Sequence, residues 1–138
     1  MVTAIVACKT IEDELRFAME RTGTDSVEHG YFLDDACLRA MADAGTLWVP
    51  TVAATHAFIG REGFDYESSR RTVEAQKAMI GRAAALGVLV AAGSDSGAVG
   101  VPHGAGTEAE YRLLRAAGLT DAAIEAANRA LAERFVRR

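Results

Sequence analysis

The chain has 138 residues, half of them hydrophobic, and a formal net charge of −4. That length suits one domain, spanning residues 1–138, with one buried core. The acidity excludes a role built on nucleic acid or an anionic membrane, since both call for a basic surface, and no run reaches the roughly 18 apolar residues of a spanning helix.

The chain reads as alternating strands and helices. Residues 2–7 form a β-branched apolar run, as in a strand covered on both faces. Thr10 caps a helix over 11–21, and Gly23 stops it. A short strand over 25–28 leads to His29-Gly30, and a helix follows over 34–44, its stripe made by Leu38, Met41 and Ala42. Residues 46–51 are a third strand, with Pro50 marking its end. A polar loop over 55–65 follows, then a long helix over 66–86 with Gly87 as its stop. Residues 88–92 are a fourth apolar strand, and 93–106 a Gly-rich loop. Two helices close the chain, over 107–117 and from the cap Thr120 onward, the last with Ile124, Ala127, Leu131 and Phe135 on one stripe. Such alternation specifies an α/β fold with a parallel sheet.

The two cysteines, Cys8 and Cys37, lie in no CxxC or zinc-ribbon pattern. They read as reduced thiols of a cytoplasmic protein. The apolar N-terminal run has neither a basic region before it nor a small-residue cleavage site, so it makes a poor secretory leader.

In a parallel sheet, chemistry collects where strands end at their C-terminal side. The polar residues there are Cys8-Lys9, Glu28-His29, Thr51 and Ser94-Asp95-Ser96. His29 and Asp95 on one rim are able to bind a divalent metal, or to act as a base and its orienting partner. By spacing alone the plainer alternatives stand beside this: a hydrogen-bonded structural histidine, and a turn aspartate. Gly93-Ser94-Asp95-Ser96-Gly97 is neither a nucleophile elbow, whose centre is serine, nor a phosphate loop. His56 and His103 sit in the two longest loops, where solvation or a substrate contact are the two options.

The string Asp25-Ser26-Val27-Glu28-His29-Gly30 resembles the DSIEHG signature of the amidohydrolase superfamily, in its imidazolonepropionase-like and prolidase-like (Xaa-Pro dipeptidase) branch. The likeness continues in Val49-Pro50-Thr51, in Gly93 to Gly97, in His103-Gly104, in Glu110 and in Ala116 to Thr120, while Asn128 stands where threonine is common. The resemblance implies half of a TIM-type (β/α)8 barrel, strands 5 to 8 with their helices. A whole barrel takes about 250 residues. It implies metal-dependent hydrolysis of amide, peptide or cyclic C–N bonds, with zinc or another divalent metal as cofactor. By the same resemblance His29 and Asp95 are metal ligands, Asp95 is also the catalytic base, and His103 and Thr51 lie by the substrate.

Departures from that pattern are as informative. The strand-1 His-x-His pair and the strand-4 bridging residue have no counterpart, and the strand-5 histidine is replaced by Ile5 or Cys8 depending on register. Cys8 is able to ligate zinc as a thiolate. With so few ligands, activity in this chain is expected to be weak or absent. The competing expectation is a non-catalytic barrel remnant acting as a self-associating interaction module. Two apolar strand edges, over 2–7 and 88–92, carry no lysine, proline or bulge. They predict pairing with a second copy of the chain or with a missing N-terminal half.

Overall fold

A computed structural model of the protein describes residues 3–6 and 23–136. Its elements are β1 (Thr3–Val6), β2 (Ser26–His29), α1 (Asp35–Ala44), β3 (Leu47–Val49), α2 (Val52–His56), α3 (Tyr66–Ala85), α4 (Ala105–Ala116) and α5 (Asp121–Val136). The predicted helix over 11–21 and Cys8 lie outside the described residues.

The strands are parallel in the order β1-β2-β3, with Val6 beside His29 and Glu28 beside Val49. Alternation along each strand sorts the side chains onto two faces. Val27 and Trp48 point to one face, where they pack with Val88, Val90, Leu38, Met41, Ile80 and Leu114 into the main core. Trp48, Leu38, Met41 and Ile80 are wholly buried there, each worth roughly 1.5–3 kcal/mol. Helix α1 starts at its cap Asp34, whose side chain accepts Cys37 N–H at 2.7 Å, and ends at Gly45 in the left-handed region. Helix α3 is capped the same way by Asp65, which accepts Ser68 N–H at 2.7 Å.

The half barrel of four strands does not form in the described residues. The segment 88–92, predicted as the fourth strand, makes only an isolated bridge from Val90 to Trp48. Trp48 N–H donates to Leu89 O at 2.9 Å and Ala91 N–H to Trp48 O at 2.8 Å, after which the ladder stops. The physical reason lies in Pro50, which has no N–H to continue the ladder and whose O is taken by Gln76 Nε2 at 2.8 Å. On the opposite edge of the segment Asn128 Oδ1, from α5, takes Ala92 N–H at 2.8 Å, so a side chain stands where a further strand would pair. Asn128 is itself held, its Nδ2 donating to Tyr111 Oη at 2.8 Å, and Tyr111 donating on to Glu125 at 2.7 Å.

Helix α5 then crosses the second face of the sheet. Its Ala127 and Leu131 pack on Val49 and Ala91. Near its end the Arg134 guanidinium donates to Asp25 O at 2.9 Å and Gly45 O at 2.6 Å, at the start of β2 and β3. A face that a half barrel would leave open is therefore strapped by the chain's own last helix. Among the described residues no helix is long and apolar enough to cross a membrane.

Candidate functional site at the strand ends

Three non-glycine residues among those described have left-handed backbone: His29 (φ 67°), Thr51 (φ 52°) and Asp95 (φ 56°). They stand at the end of β2, just after β3 and just after segment 88–92. Such conformations cost of order 1–3 kcal/mol each and persist only where the surroundings enforce them. For β-branched Thr51 the left-handed region is a true outlier.

What enforces them differs. Trp48 Nε1 donates to His29 O at 3.0 Å, fixing the turn from below. Gly30 completes that turn, because a Cβ there would lie 2.8 Å from Leu33 Cδ1 and 3.0 Å from Trp48 Nε1. Thr51 starts α2 without a side-chain cap of its own. Glu110, wholly buried on α4, supplies that cap: Oε1 accepts Val52 N–H at 3.1 Å and Oε2 accepts Ala53 N–H at 2.7 Å. Burial pushes the Glu110 carboxyl up to about 7, against the pull of those two N–H groups. Gln76, also wholly buried, donates to Pro50 O at 2.8 Å and lies 2.8 Å from the Thr55 hydroxyl.

His29 and Thr51 are brought into contact, with His29 Nδ1 2.7 Å from Thr51 Oγ1. The Thr51 hydroxyl also donates to Pro50 O at 2.8 Å. A hydroxyl has one hydrogen. The Thr51 hydroxyl thus stands between His29 Nδ1 and Pro50 O, and its donor or acceptor role toward Nδ1 follows the imidazole tautomer. A hydrogen bond at one ring nitrogen is what orients a histidine used for ligation or proton transfer through the other. Tyr31 completes the cluster, its hydroxyl 3.3 Å from His29 Nδ1 and its ring centroid 5.6 Å from that of His29. Burial raises the Tyr31 phenol, the Thr51 hydroxyl opposes that, and the Asp95 and Glu110 carboxylates add to it. Asp95 therefore lies within electrostatic reach of the His29–Tyr31–Thr51 cluster.

Asp95 itself is exposed. Its backbone O accepts Ala98 N–H at 3.0 Å, and its flanking serines meet at 2.7 Å between hydroxyls. His103 is exposed later in the same loop and lines a surface hollow of about 370 Å³ with Gly97, Val101 and Pro102. Among the described residues no three His, Cys, Asp or Glu side chains gather as a metal-binding group. A zinc site takes three or four protein ligands. His29 and Asp95 supply two donors, so the described residues do not by themselves make one.

No family model matches this chain, and no curated protein sequence does. A solved structure does: a crystal structure of a Xaa-Pro dipeptidase with methionine bound in its active site. It superposes with a TM-score of 0.71 at 23% identity, over 94% of this chain and 33% of that chain. The likeness shows a shared fold over that stretch. The chain spans about a third of the dipeptidase's length.

Sequence reasoning picked out His29, Thr51 and Asp95 and missed Tyr31 and the role of Glu110. A buried glutamate in the middle of an amphipathic helix is a readable signal, because a charge there must answer to a partner. Tyr31 carried no such mark, being one aromatic residue in a turn.

Proposed function

We propose that the strand-end rim is part of the active site of a hydrolase acting on C–N bonds of small amides or dipeptides. The observation that carries this is His29, held through Nδ1 by Thr51 on a strained turn, in a cluster whose Tyr31 feels the charge of Asp95. In this reading Asp95 is the base that takes a proton from the attacking water, and His29 Nε2 is the nitrogen donor to the reacting centre. Tyr31 and Thr51 orient the imidazole. The dipeptidase fold neighbour supports the reaction class. Zinc or another divalent metal requires a further donor, for which Cys8 is the candidate, so no step is derived through it.

Hydrolysis of Xaa-Pro dipeptides by purified protein, with and without added zinc, tests the proposal. The expected result is slow turnover that falls about 100-fold or more in Asp95→Asn, the scale of general-base catalysis. Equal rates in the two proteins, or no turnover with every metal tried, overturn it. The scarcity of ligands favours the second reading, a non-catalytic interaction module. That reading predicts no metal uptake and an Asp95→Asn variant indistinguishable from the parent.

A further inference from the structure

Glu28 and His29 are neighbours in β2 but serve different places. His29 meets Thr51 and Tyr31 at the rim. Glu28, one residue earlier, lies on the face crossed by α5 and lines a cavity of about 560 Å³ there. The walls are apolar, made by Val49, Ala92, Leu131 and Phe135, with Gly93 and Asn128 at the top. That volume falls within the range of small-molecule sites.

The polar groups at this cavity are unequal. Asn128 is engaged at both ends, with Oδ1 on Ala92 N–H and Nδ2 on Tyr111. Glu28 Oε1 takes the Ser26 hydroxyl at 2.7 Å. Glu28 Oε2 is buried and has no hydrogen-bond partner. The cation that α5 carries over this face, Arg134, is committed to the carbonyls of Asp25 and Gly45. A carboxylate oxygen facing apolar walls, with no cation paired to it among the described residues, asks for a partner. The terminal torsion of a glutamate is broad and roughly two-fold, so a turn of the carboxylate offers either oxygen to the cavity.

We infer that the cavity between the sheet and α5 binds a small organic cation, a primary ammonium on an apolar body. The ammonium pairs with Glu28, and the body rests on Val49, Leu131 and Phe135. Gly93 keeps the top of the cavity tight, since a Cβ there would strike Val49. Nothing in this inference depends on hydrolysis at the rim.

Titration of the isotope-labelled chain with benzylamine, followed by amide NMR, tests it, with benzyl alcohol as the neutral match. Benzylamine should shift Glu28, Gly93, Asn128 and Phe135 and bind at least about tenfold more tightly than the alcohol, the scale of a hydrogen bond to a charged group. Glu28→Gln should remove that preference and leave the alcohol unchanged. Equal binding of amine and alcohol by the unmodified chain overturns the inference. So do shifts confined to other residues, or none at the highest amine concentration the chain tolerates. The unmodified chain decides the matter even where Glu28→Gln fails to fold.

Discussion

The junctions after β3 and after segment 88–92 solve the same problem in opposite ways. Each turns the chain through a left-handed non-glycine residue, Thr51 in one and Asp95 in the other. Thr51 is buried, and the backbone around it is tied down by Glu110 and Gln76 from two different helices. Asp95 is exposed, and no hydrogen bond among the described residues holds its carboxylate. The first junction is a rigid mount for the imidazole of His29. The second leaves a carboxylate free to adjust at the same rim. Strain alone does not tell which residue is fixed; the depth of its support does.

The sharpest way to break the rigid junction is through Glu110. Glu110→Ala leaves two buried N–H groups of α2 without acceptors, at roughly 1–3 kcal/mol each, so about 3 kcal/mol of stability is expected to go. Urea denaturation at neutral pH measures it. Glu110→Gln separates charge from shape. The folded carboxyl sits at about 7 against an ordinary 4.5. A folded value raised in this way means the folded state holds the proton more tightly. The stabilisation is then complete below about 4.5 and is lost as pH rises through about 7, a span worth about 3 kcal/mol. The parent should lose stability over that window relative to Glu110→Gln. Parallel curves for the two proteins would mean that burial does not control this carboxyl.

Gln76→Leu is the next largest. It removes the donor to Pro50 O and the partner of the Thr55 hydroxyl while keeping the core filled, for an expected loss of about 2 kcal/mol. Thr51→Val goes to the His29 contact instead. Losing one exchangeable hydrogen bond costs about 1 kcal/mol, but the imidazole loses what fixes its tautomer. Nitrogen-15 shifts of the ring should move from one dominant tautomer to a mixture. An unchanged tautomer would show that Tyr31, not Thr51, orients the ring.

Much of the rigid half was legible in the sequence. Leu38, Met41 and Ala42 at helical spacing and Gly45 as a stop all do locally what their chemistry dictates. The strand end at His29 followed from an apolar run broken by Gly30, and the third strand, expected over 46–51, stops at Val49 just before Pro50. What misled was the run 88–92. Its composition fits a central strand, yet a strand needs backbone partners, and here Pro50 offers no N–H on one edge while Asn128 of α5 takes a neighbour's place on the other. The apolar stripe of α5 showed that it packs, not on which face. Tertiary choices of that kind are made between elements far apart in the chain, where periodicity carries no information.

The smallest expected effect falls on the adjustable junction, and it is the one that tests the contrast most directly. Aspartate tolerates the left-handed region better than β-branched residues do. Asp95 is also exposed and holds its turn through its backbone oxygen, which every residue has. Asp95→Gly relieves what strain remains and adds freedom to the unfolded chain, two terms of opposite sign and similar size. Stability should therefore stay within about 0.5 kcal/mol of the parent, the usual range for an exposed position. Thermal or urea unfolding would show this, while dipeptide hydrolysis by the same variant is lost. A loss of about 2 kcal/mol or more, beyond what an exposed turn residue costs, would mean that the Asp95 carboxylate is as firmly engaged as Glu110. The two junctions would then be equally rigid, and a carboxylate so held could not serve as the mobile base at the rim.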